Sequence, residues 1–135
     1  MLNGIIDRVD SLNGRKRILD YKTGKVDKKD SSEMDFFFSD PKYKILFQTF
    51  FYGLLYSKTY PNTAIQLGIY PLKKLSEGIH FPKKDNANLS QDELNEFENR
   101  LSNLFSEIFD PTTTFDQTDF EERCVYCAFK DICGR

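Results

Sequence analysis

Two aspartates and a lysine in the first 22 residues have the types and spacing of a metal-assisted site. Arg17 to Thr23 reads as a β-strand, in which Ile18, Asp20 and Lys22 share one face and Leu19, Tyr21 and Thr23 the other. Asp and Lys are poor strand formers, so a face that carries both needs a reason. The preceding stretch, Leu2 to Ser11, also reads as a strand, and Asn13-Gly14 between them is a strong hairpin-turn signal. A hairpin symmetric about that pair sets Asp20 opposite Asp7, Ile18 opposite Val9 and Lys22 opposite Ile5. Two carboxylates so placed repel unless a cation lies between them. Mg²⁺ suits such a pair, because it takes carboxylate oxygens and keeps waters and phosphate ligands. A divalent ion lowers the pKa of a bound water, and a neighbouring ammonium offsets charge on a phosphoryl oxygen. The chemistry these residues suit is phosphodiester hydrolysis. A charged strand face is more often a solvated one. Here the register, the turn and the apolar residues on the same face argue for a built site.

A second set lies at the other end. Cys124, Cys127 and Cys133 follow a C-x₂-C-x₅-C spacing. An odd number of clustered cysteines fits a metal centre better than a disulfide framework. Iron–sulfur clusters and tetrahedral zinc both ask for four ligands, and the chain has three cysteines.

The elements that must position these groups are legible in outline. The chain has 135 residues, 39% hydrophobic and 30% charged, which suits one globular domain. Thirteen Phe and seven Tyr point to an aromatic core. Lys42 to Lys58 is apolar nearly all round, the mark of a buried helix, and Pro61-Asn62 ends it. Thr63 to Leu72 reads as a third strand and Glu77 to Pro82 as a short fourth. Ser90 with Glu93 forms a capping box before a helix that runs to about Phe109. Lys25 to Asp40 reads as an irregular loop apart from Phe36-Phe37-Phe38. The order is that of a mixed α/β domain. No apolar run spans a bilayer and no signal-peptide pattern opens the chain, which implies a cytoplasmic protein.

"GIIDRVD" at 4–10, "ILDYKTGK" at 18–25 and "QTFFYG" at 48–53 together resemble the RecB-like branch of the PD-(D/E)XK nucleases, with AddB-type helicase–nuclease subunits and CRISPR-associated exonucleases. The resemblance implies a restriction-endonuclease-like mixed β-sheet flanked by helices. It implies Mg²⁺ or Mn²⁺ held by Asp7, Asp20 and the Tyr21 carbonyl, with Lys22 as catalytic lysine. Gln48 and Tyr52 match the branch's Q-x-x-x-Y motif, four apart on one helix face. Read without the resemblance, they are a surface amide and a core aromatic. "CAFKDICGR" resembles the endings of such nucleases, where three cysteines join a distant upstream one around a [4Fe–4S] cluster. The branch also places a helix with an acidic or histidine residue before the first strand. The expectation is a C-terminal fragment, lacking that helix and the fourth cysteine; the alternatives are a cluster with a non-cysteine ligand or a partner's residue, and a tail that binds zinc or nothing. Residues 1–110 would form the nuclease core and 111–135 a cysteine tail of the same domain. His80, the single histidine, is expected to be structural or solvent-facing.

The implied partners are DNA and a helicase domain or subunit. A net charge of −2 gives no global basic signal, but a local basic cleft can sit on an acidic protein. Arg15, Lys16, Arg17, Lys22, Lys25, Lys28 and Lys29 are the candidate phosphate contacts, and Phe36–Phe38 a candidate stacking platform. The rival readings are a DNA-binding or scaffold module with the same fold, and a small cysteine-metal interaction domain.

Overall fold

A computed structural model describes residues 2–26, 34–114 and 116–135. Asn13 and Gly14 take φ of 51° and 77°. Positive φ at both central positions is what a two-residue type I′ turn requires. About this turn, β1 (Arg8–Leu12) and β2 (Arg15–Lys22) pair antiparallel, with Val9 opposite Ile18 and Arg8 opposite Leu19. This is the expected register. β3 (Ile65–Pro71) lies parallel to β2, which makes a mixed three-stranded sheet in the order β1-β2-β3.

Two strand expectations are corrected. The ladder begins at Arg8, so Asp7 and Asp20, and Ile5 and Lys22, are not ladder pairs. The fourth strand reduces to a single bridge between His80 and Ile69. Leu72–Glu77 winds as a 3₁₀ segment, and Gly78 turns the chain at φ 70°. Pro82 has no N–H to extend a ladder.

Parallel strands need a crossover, and helices supply it. α1 (Asp35–Ser39) and α2 (Lys44–Thr59) lie between β2 and β3 in the chain. From Leu46 to Ser57 no residue of α2 is fully exposed, as its apolar circumference requires. Gly53 lets this helix approach the sheet closely. A Cβ there would meet Leu89 Cδ2 at 2.8 Å and Leu67 Cδ2 at 3.0 Å. Ile18, Leu67 and Ile69 are buried on the sheet.

α3 (Gln91–Ile108) starts at the expected capping box. The Ser90 N–H donates to Glu93 Oε2 at 2.7 Å, and the Glu93 N–H donates to Ser90 Oγ at 3.2 Å. Lys83 pairs with the same carboxylate. Leu94, Phe97 and Leu101 are buried on this helix. Phe97 packs on Phe38, Phe47 and Phe50, with ring centroids 5.3, 5.4 and 5.8 Å away. Phe37 meets Phe50 edge-on at 4.9 Å. The triple phenylalanine is thus largely core: only Phe36 is exposed, and it stacks on Tyr43. An aromatic run gains more from burial against other rings than from standing in water.

The chain groups into two compact units, residues 1–102 and 103–135, dividing within α3. In the second unit the Arg135 guanidinium donates to Glu121 Oε1, Gln117 Oε1 and the Thr118 carbonyl. No described helix is long and apolar enough to cross a membrane.

Candidate active site

Asp20 lies on the central strand, 1% exposed. Its neighbour two positions on, Lys22, projects from the same face. Lys22 Nζ sits 2.8 Å from Asp20 Oδ2. That contact is an ion pair with poor hydrogen-bond geometry, and among the described residues no hydrogen-bond donor reaches this buried oxygen. Burial raises the Asp20 pKa above the usual carboxylate range. The ammonium of Lys22 opposes the rise, and the nearby charge of Asp7 adds to it.

The ammonium has a second acceptor. Lys22 Nζ donates to Gln48 Oε1 at 2.6 Å, and Gln48 Nε2 donates to the Tyr52 hydroxyl at 2.7 Å. Gln48 and Tyr52 are one helical turn apart on α2, so one face of that helix presents both. The crossover carries this face to β2. Four of the expected site residues, Asp20, Lys22, Gln48 and Tyr52, therefore form one continuous polar chain.

Asp7 joins from the bend before β1. Its Oδ2 accepts the Tyr21 N–H at 2.8 Å. The carboxylate takes a strand amide where the ladder has stopped, and this holds it beside the peptide that follows Asp20. Gly4 makes the approach of this segment to α2 possible. A Cβ there would lie 3.2 Å from the Tyr52 ring and 3.1 Å from Leu55 Cδ1. This contact is not legible in the sequence, because a glycine ahead of a strand carries no signal of what it packs against.

The donor set fits a hard cation. Two carboxylates lie near each other, one with an unsatisfied buried oxygen. No third His, Cys, Asp or Glu joins them among the described residues. Mg²⁺ is commonly held by one or two carboxylates, with water and phosphate completing its shell.

The basic residues do not all gather here. Arg15, Lys16 and Arg17 flank the turn, and Lys16 is six residues, roughly 20 Å, from Lys22 along the strand. Arg17 forms a two-pronged pair with Asp10 at 2.6 and 2.7 Å, and Lys16 donates to Ser11. These three sit at the turn end of β2, a strand's length from the Asp20–Lys22 end. The rule that set Asp7 opposite Asp20 also set Asp10 opposite Arg17, which could have exposed this ion pair. Lys28 and Lys29 lie outside the described residues. His80 is half-buried and exchanges backbone hydrogen bonds with Ile69.

The cysteines are not brought together. Cys124 is half-buried, and Cys127 and Cys133 are exposed. No three of the described His, Cys, Asp or Glu residues form a metal-holding group. Three thiols that form no such group do not fit an iron–sulfur cluster as they stand, since four ligands must converge on it.

A mixed sheet flanked by helices, with paired carboxylates and a lysine where a crossover helix meets the central strand, defines a restriction-endonuclease-like protein. The family model for the PD-(D/E)XK nuclease superfamily matches residues 1–134, and the chain belongs to that superfamily. No curated protein and no solved structure matches it.

Proposed function

We propose that this protein is a Mg²⁺- or Mn²⁺-dependent deoxyribonuclease domain of the RecB-like branch. The observation that carries the reading is the polar chain from Asp20 through Lys22 and Gln48 to Tyr52. Asp7 and Asp20, with the Tyr21 carbonyl, are the residues that would hold the metal. When bound, the ion would lower the pKa of a water and offset phosphoryl charge. Lys22 donates to Gln48 Oε1 and lies against the Asp20 carboxylate, so its ammonium is held in one place. In that position it stabilises negative charge developing on a phosphoryl oxygen, or orients the attacking water. Gln48 fixes the lysine with its carbonyl and Tyr52 with its amide. The Tyr52 hydroxyl then has its own proton left to donate to substrate.

The motif resemblance further supports an exonuclease of DNA repair or recombination, cytoplasmic and joined to a helicase domain or subunit. It implies a [4Fe–4S] cluster in the parent protein, for which a fourth ligand would have to come from beyond Cys124, Cys127 and Cys133. Cleavage of end-labelled DNA across a Mg²⁺ and Mn²⁺ titration tests the central claim. Metal-dependent cleavage that Lys22→Ala lowers at least about a hundredfold is expected. DNA binding with no cleavage at any metal concentration would leave a non-catalytic DNA-binding module instead.

A further inference from the structure

β3 ends at Pro71, which pairs with Lys22 of β2. The chain then enters the 3₁₀ segment Leu72–Glu77, which lies against β2. This segment therefore borders the same strand ends as the candidate site. Ligands of open α/β sheets bind outside the carboxyl ends of parallel strands, which is where it sits. All six of its residues are exposed, Leu75 to 56%.

Its two lysines differ. Lys74 Nζ is 2.7 Å from Glu77 Oε1. Lys73 makes no ion pair or hydrogen bond among the described residues. Two residues of 3₁₀ winding past Pro71, at about 2 Å each, and one strand across, about 4.8 Å, put its backbone roughly 6 Å from that of Lys22. Phosphates along one DNA strand rise about 3.4 Å each, so this spans one or two of them. An unpaired cation at that distance, beside exposed leucine, matches a strand's alternation of phosphate with apolar sugar and base faces.

We infer that Leu72–Leu75 is a contact for the DNA strand as it leaves the site, with Lys73 on a backbone phosphate and Leu75 against a sugar or base. The inference rests on the nuclease reading. It adds a binding element that none of the motif residues supplies.

The test uses the whole chain and a fluorescent single-stranded oligonucleotide. Binding is measured in Ca²⁺ across a salt series, and single-turnover cleavage at saturating DNA in Mn²⁺. Removing one phosphate contact from a single strand lowers the salt slope by about 0.7, which over one decade of salt is about fivefold in affinity at 0.1 M. Lys73→Ala should show that loss and Lys73→Glu a larger one, with the saturated cleavage rate unchanged. Leu75→Ala should weaken binding without changing the slope. Lys58→Ala removes the same charge near the C-terminal end of α2, where Lys58 pairs with Glu98, and should change neither. If wild-type protein binds and cuts but Lys73→Ala keeps its affinity and slope, or Lys58→Ala matches its loss, this contact is overturned while the nuclease reading stands. Wild-type protein that neither binds nor cuts overturns both.

Discussion

Replacing Asp20 by Asn should move stability in opposite directions with and without metal. The side chain is buried at 1% exposure, with one oxygen lacking a hydrogen bond and a second carboxylate close by. The fold raises its pKa, so it favours the neutral acid over the anion. Metal-free stability of the wild type should fall as pH rises from the ordinary carboxylate range through the raised folded value. The amide has no charge to bury. Lys22 is not stranded by the change, because it keeps Gln48 Oε1 and is 22% exposed. We expect a gain in chelator of about 1 kcal/mol, the low end of the cost of a buried polar atom without a hydrogen bond. For 135 residues, an unfolding entropy of about 2.1 cal/mol/K per residue converts this to roughly 3–4 °C in Tm. Metal reverses the order. At a hundredfold excess over Kd, an ion binding the native state alone adds about 2.7 kcal/mol, or roughly 10 °C. A variant binding a hundredfold more weakly would gain only about 0.4 kcal/mol at the same concentration. Scanning calorimetry in EDTA, Mg²⁺ and Mn²⁺ measures both terms. An Asp20→Asn protein that melts below wild type in EDTA, or that shows the full metal-induced shift, would refute the argument.

Lys22→Ala should lower cleavage about 10²- to 10³-fold, the usual cost of one preorganised charge-stabilising group, with Tm changed by a few degrees at most; single-turnover assays and a melting curve check both. Phe97→Ala should cost about 3–5 kcal/mol, because the fully buried ring touches three other phenylalanines and leaves a cavity on removal; urea titration measures it. The Glu93 carboxylate is penalised by burial, but Lys83 and the Ser90 N–H and hydroxyl more than compensate and hold its pKa below the ordinary 4.5. Its contribution is therefore present above pH 4.5 and lost as pH falls through the folded value. Glu93→Gln should cost about 1 kcal/mol at pH 7 and flatten the acid limb of the stability curve followed by circular dichroism.

Much of the site's local geometry is legible without coordinates. Asn-Gly sets the turn, the turn sets the register, and period-two alternation puts Asp20 beside Lys22. Helical period puts Gln48 and Tyr52 on one face, and Ser90 with Glu93 marks where α3 begins. Each of these relations joins residues within about a dozen positions, where backbone sterics and short-range hydrogen bonds decide the outcome. Longer-range relations are decided by packing. Only the crossover of α2 onto β2 brings Gln48 to Lys22. Only the end of the ladder at Arg8 frees the Asp7 carboxylate to take the Tyr21 N–H. The phenylalanine run enters the core because Phe47, Phe50 and Phe97 converge on it from two other helices. The arginines at the turn fall outside the site because a strand's length intervenes. The sequence by itself determined which groups could do chemistry and how near neighbours align. The tertiary structure decided which of those groups meet, because burying apolar surface chooses among the many arrangements that local rules permit.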